Sequence, residues 1–140
     1  MRVLVDTSVW VDFLNGHPSP EREALASLLM GDHDVCTCGV VIAEVFQGLR
    51  REKGRSELAE VFREMTYLDP SGIGLYFRAA EVYRRLRERG WTIRSTIDCL
   101  IAVLAEETGS AILVRDRDLT TILNSGLVDV RSWPLERPSP

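Results

Sequence analysis

Lysine is nearly missing from this chain: Lys53 is the only one in 140 residues, against sixteen arginines. That absence excludes two carboxylate chemistries. Phosphoaspartate receivers and haloacid-dehalogenase-type phosphatases place an aspartate after the first strand, as Asp6 stands here, but both need a lysine near a late strand end. The phosphatases also need an acid two residues further on, where this chain has Ser8. Histidine is scarce too, and His17 and His33 stand in contexts that do not suit a Ser-His-Asp hydrolase. There is no phosphate-cradling glycine loop, since Gly72 and Gly74 merely follow a proline turn. No apolar run approaches the roughly 20 residues of a membrane span, and no basic segment precedes a hydrophobic stretch as in a signal peptide. A cytoplasmic protein without membrane contact is expected. Cys36, Cys38 and Cys99 have no redox spacing, and with His33 they fall short of the usual four-ligand zinc set, so free buried thiols are expected. The net charge of −4 excludes a protein that grips nucleic acid by bulk attraction.

The chain is otherwise ordinary for a folded domain, with 45% hydrophobic and 27% charged residues. Its arginines cluster at Arg50, Arg51 and Arg55, around Lys53, and again at Arg84, Arg85, Arg87, Arg89 and Arg94. Guanidinium forks pair with phosphate, although such clusters also occur on plain solvated helix faces.

Residues 2–5 read as a buried strand, and Val9, Trp10, Phe13 and Leu14 as the apolar face of a helix broken by Asn15, Gly16, Pro18 and Pro20. Helical spacing returns over 21–30, a brief strand over 34–37, and a mostly buried helix over 39–49 with Glu44 inside it. Next come a helix over 55–65, a strand over 66–68 and a long amphipathic helix over 73–89. A buried helix over 97–107 is ended by Gly109; a strand over 111–114, a short helix over 118–123 and a last strand over 128–130 complete the pattern. One domain over 1–133 is expected, with a loose proline-bearing tail at 134–140. Short apolar strands alternating with helices imply parallel pairing in a three-layer α/β/α sandwich.

Carboxylates sit at the seams of this pattern. Asp6 ends the first strand, Asp98 stands in the first turn of a buried helix, and Asp116 and Asp118 follow the strand Ala-Ile-Leu-Val. Each has an ordinary reading as a cap or turn residue: Asp6 or Thr7 on the first helix, Asp98 answering Ser95, Asp118 on the last helix. Glu44 has none, and a carboxylate in so apolar a helix needs a partner. In an open parallel sheet ligands bind beyond the carboxyl ends of the strands. If the acids converge there within about 5 Å, each pair repels by roughly 3 kcal/mol at an effective dielectric of about 20. A divalent cation removes that cost. Mg²⁺ or Mn²⁺ prefers oxygen ligands and water, and the chemistry that uses such a site is attack of water on a phosphodiester.

The spacing of these acids, with "VLVDTSVWVDFL", "VVIAEVFQGL" and "STIDCLIAVLAEETGSAILVRDRDLTTI" around them, resembles the PIN-domain ribonucleases, and among them the VapC toxins of bacterial toxin–antitoxin pairs. The resemblance covers nearly the whole chain. It implies a central parallel five-stranded sheet and a catalytic, metal-holding set of Asp6, Glu44, Asp98 and Asp116. Thr7 and Asp118 follow as second-rank ligands and Thr96 below them. It also implies Mg²⁺ or Mn²⁺, a homodimer, a structured RNA substrate such as tRNA or rRNA, and an antitoxin that blocks the site in a hetero-oligomer. The helix carrying Val9, Trp10, Val11, Phe13 and Leu14 has a wider apolar arc than one core contact requires, which suits a dimer or antitoxin groove. A catalytically silent PIN-fold regulatory protein and a structure-specific DNA nuclease are the alternatives.

Overall fold

The short apolar run of residues 2–5 does form the central strand. In the computed structural model, which describes residues 1–49 and 54–134, β1 (Arg2–Val5) lies between β2 (Asp34–Cys38) and a later strand, β4 (Ala111–Leu113). With β3 (Thr66–Leu68) on the far side of β2, the order is β3-β2-β1-β4, and every pairing is parallel. Val3, Leu4, Val5, Cys36, Ile112 and Leu113 are buried, as expected of strands covered on both faces. The chain steps outward from β1 through β2 to β3 and then returns to the other side of β1. The switch point therefore falls between β1 and β4.

Helices cover the sheet: α1 (Thr7–Asn15), α2 (Pro20–Met30), α3 (Gly39–Gln47), α4 (Arg55–Glu64), α5 (Gly74–Glu88), α6 (Thr96–Thr108) and α7 (Arg117–Asn124). Trp10 of α1 is fully enclosed, 4.7 Å from Phe62 of α4 and 6.2 Å from Phe13, and Phe62 meets Phe46 of α3 edge-on at 5.3 Å. α6 is the most enclosed helix: Cys99 and Ile101 to Ala105 are all buried, and it ends where Gly109 turns left-handed at φ 66°. α5 and α6 pack against each other and are joined by residues 89–95.

Three expectations change. The five-stranded sheet has four strands among the described residues. Val128 does reach the core, but the Asp129 N–H donates to Glu106 Oε2 at 2.7 Å instead of to a neighbouring strand. Pairing with β4 comes later, as a single parallel bridge of Ile112 with Ser132. The helix at 39–49 ends at Gln47 and is half-buried, since only Val41 and Val45 are enclosed and the flank bearing Ile42 and Phe46 is partly open. On α1 the wide apolar arc is divided: Val9 and Trp10 are buried, whereas Val11 and Leu14 are exposed. The expected tail at 134–140 lies, but for Pro134, outside the described residues, and so do Arg50, Arg51 and Lys53 of the first basic cluster. No helix among the described residues is long and apolar enough to cross a membrane.

Candidate metal centre

At the switch point the β1–β4 ladder runs one bond past the strands, with the Asp6 N–H donating to Leu113 O at 3.0 Å. Asp6 then leaves the sheet in an extended conformation and holds the N-cap position of α1, yet its carboxylate makes no capping hydrogen bond. It accepts instead from Ser8 Oγ at 2.6 Å. Asp6 is buried, and burial pushes its carboxyl above the ordinary carboxylate range. The Ser8 hydrogen bond opposes that rise, and the charge of Asp116 adds to it.

Asp116 follows the end of β4 and caps α7, its Oδ2 accepting the Leu119 N–H at 2.9 Å. Asp118, two residues into the same helix, accepts from both the backbone N–H and Nε of Arg94, each at 3.2 Å. Asp98 stands in the first turn of α6, whose cap is Ser95 through the Ile97 N–H at 3.1 Å. Because α6 and α7 pack side by side at this rim, carboxylate oxygens of Asp98, Asp116 and Asp118 lie within 4.8 Å of one another. The Asp98 carboxyl is pushed up to about 7, first by burial and then by the charges of Asp116, Asp6, Asp118 and Glu44. Glu44, on α3, finds the partner it needed: Thr7 Oγ1 donates to its Oε1 at 2.9 Å. Thr96 is exposed at the first residue of α6.

The tight group is thus Asp98, Asp116 and Asp118, with Asp6 and Glu44 near enough for their charges to raise Asp98. This donor set fits a hard divalent cation. It offers oxygen only, it carries mutual repulsion that an ion would remove, and Arg94 meets just one of the acids. Cys38 borders Asp6 and Glu44, but burial keeps its thiol protonated.

A family model for the PIN domain matches residues 3–122. The chain belongs to the PIN-domain family. Among its PIN relatives, ribonuclease VapC11 of Mycobacterium tuberculosis is 30% identical over 121 residues, which cover 86% of this chain and 90% of that protein. The fold is shared with VapBC2 of Rickettsia felis, solved bound to a DNA fragment from its promoter, at a TM-score of 0.69 and 20% identity over 96% of this chain and 100% of that one. VapBC-1 of nontypeable Haemophilus influenzae gives a TM-score of 0.70 at 15% identity over 95% and 97%.

Against this PIN frame, reading residues alone missed three supports. Ser8, notable in the sequence only as a position where an acid is missing, donates to the Asp6 carboxylate. Arg94 looked like one arginine of a cluster but holds Asp118. Asp12, buried on α1, pairs with Arg115, the residue before Asp116. The spacing of 103 residues between those partners leaves no local pattern to read.

Proposed function

We propose that this PIN-domain protein is a divalent-metal-dependent endoribonuclease toxin that hydrolyses phosphodiester bonds in structured RNA and so inhibits translation. The convergence of Asp98, Asp116 and Asp118 at the switch point, with Asp98 raised to about 7 first by burial and then by the surrounding acids, carries this reading. Asp98, Asp116 and Asp118 would hold the ion, with Asp6 and Glu44 completing the acidic set. When bound, Mg²⁺ or Mn²⁺ would neutralise the scissile phosphate and make water a stronger nucleophile. The chain's own part is orientation. Ser8 fixes Asp6, Thr7 fixes Glu44, the Leu119 amide fixes Asp116 and Arg94 fixes Asp118, so the acids need little rearrangement when charge develops. Arg94 also puts a cation at the edge of the acidic group, where an incoming phosphate would pass.

The names of the relatives support the toxin role, and the VapBC structures support a cognate antitoxin and the hetero-oligomer made with it. An apolar groove of about 440 Å³ between α3 and α4, lined by Ile42, Phe46, Ala59, Phe62, Met65 and Tyr67, suits apolar side chains of such a partner. A homodimer would find a separate face in the exposed Ile73, Tyr76 and Phe77 at the start of α5. A cytoplasmic location accords with an RNA target.

The direct test incubates the protein with total tRNA and rRNA and maps new 5′ ends, with Mg²⁺, with Mn²⁺ and with chelator. Cleavage that requires the ion and is lost in Asp98→Asn is expected. Cleavage unaffected by chelator would overturn the metal reading. A folded protein that binds RNA and never cuts it would favour the silent regulatory alternative.

A further inference from the structure

The arginine cluster at the end of α5 has no part in the acidic centre apart from Arg94, yet it is joined by a short connection to the helix that carries Asp98. α5 packs on α6, and residues 89–95 lead from the end of α5 to the first turn of α6, where Asp98 stands. Arg94 in that connection touches Asp118. Arg84, Arg85, Arg87, Arg89 and Arg94 are all exposed, with only Glu81 and Glu88 as acids among residues 81–94. Arg84 makes none of the ion pairs or hydrogen bonds found among the described residues. With Arg85, Glu88 and Arg89 it lines an open cleft of about 410 Å³. Beside the cleft Trp91 is 39% exposed, and the Arg89 guanidinium lies 5.8 Å from its ring centroid while also donating to Ser125 O at 2.9 Å. The Trp91 N–H is held by Leu86 O at 3.0 Å, so the indole is borne on anchored backbone.

On a chain of net charge −4 this is a concentrated cationic face, and it carries an aromatic surface. Guanidinium groups that follow a phosphate backbone, next to an aromatic face that accepts a base, form the arrangement by which proteins hold single-stranded nucleic acid without reading its sequence. We propose that the end of α5, through Arg84, Arg89 and Trp91, binds an unpaired RNA segment flanking the scissile phosphate, with Arg94 linking it to the acidic centre. This assignment names the substrate surface of the function proposed above and rests on it. It favours RNA that is unpaired on one side of the cut over a continuous duplex.

The test is binding of a short unstructured RNA of mixed sequence, and of the same strand in duplex, by fluorescence anisotropy across a salt series with chelator present, so that cleavage plays no part. Arg84→Ala and Arg89→Ala should each weaken binding and reduce the log–log salt slope by about 0.7, the single-strand value for one phosphate contact. Trp91→Ala should weaken binding of the unstructured strand by roughly 5- to 150-fold with the slope unchanged, and Trp91→Phe should retain most of it. Arg2→Ala, at the opposite end of β1, should match wild type. Circular dichroism melting verifies that each variant is folded, and Arg84→Ala keeps the test sound should the loop variants unfold. Unchanged slopes in Arg84→Ala and Arg89→Ala would overturn the proposal even if the wild type cuts RNA. Changed slopes in a protein that cuts nothing would sustain the surface and remove the nuclease reading. Variants that bind RNA normally but lose the cognate antitoxin would give this face to the protein partner and likewise overturn the proposal.

Discussion

Asp98 carries the strain of the acidic centre in a measurable form. Its carboxyl is raised from 3.8 to about 7, so between those values the native chain holds a proton that the unfolded chain has released. Stability contributed by the protonated form is therefore full at low pH and is lost as pH rises through that window. The expected outcome is that the melting temperature of metal-free protein, corrected by subtracting the Asp98→Asn curve, falls from about pH 4 to about pH 7. A flat difference curve would mean that neither burial nor the neighbouring charges raise this carboxyl in the folded chain. Asp116 separates capping from chemistry. Asn retains an oxygen to accept the Leu119 N–H, so Asp116→Asn should keep the stability of α7 while removing cleavage. Asp116→Ala should lose the activity and also about 1 kcal/mol by urea unfolding. Equal stability losses in both would show that the cap is not the structural role of this residue.

The elements bring these residues together through contacts that differ in how far apart they lie in sequence. Strands were legible as short apolar runs, and helix ends where Ser95 and Gly109 close them, because those signals act within a few residues. Asp6, Glu44, Asp98 and Asp116 were legible as candidates because each interrupts an apolar pattern. Which acids stand closest was not legible. Asp118 joins Asp98 and Asp116 only because α6 and α7 begin side by side, and no local pattern encodes that packing. The last strand was misplaced for a similar reason, since Glu106 takes the Asp129 amide from a distant helix. Asp12 on α1 pairs with Arg115, which directly precedes the cap of α7, so one ion pair ties the first helix to the loop that carries Asp116. Arg115→Ala leaves the buried Asp12 carboxylate without its donor and should cost about 1.5–3 kcal/mol in urea unfolding. Asp12→Asn/Arg115→Ala should recover part of the loss, because no buried charge is then stranded. Activity should fall further than stability explains, since Asp116 loses its tether. Normal activity in a folded Arg115→Ala protein would refute the tethering role.

For the molecule as a whole, the proposed metal centre would couple folding and ion binding through the same acids. The sheet holds Asp6 and Asp116 at adjacent strand ends, and the helices add Asp98 and Asp118, so the folded chain concentrates negative charge that the unfolded chain disperses. An ion that binds only the folded arrangement must stabilise it by mass action. At free ion a hundredfold above the dissociation constant the gain is about 2.7 kcal/mol, which for a domain of this size raises Tm by roughly 10 °C. Mn²⁺ or Mg²⁺ titrated into metal-free protein should produce a rise of that order, saturating with concentration. Potassium at equal ionic strength should give much less, because screening at a partly buried cluster is weak. Asp98→Asn should melt above metal-free wild type, since one charge is gone, and respond less to Mn²⁺, since one ligand is gone. These two shifts have opposite consequences for the variant, which separates a metal centre from a cap. A residue needed only for the start of α6 would lower Tm when replaced and leave the ion response intact.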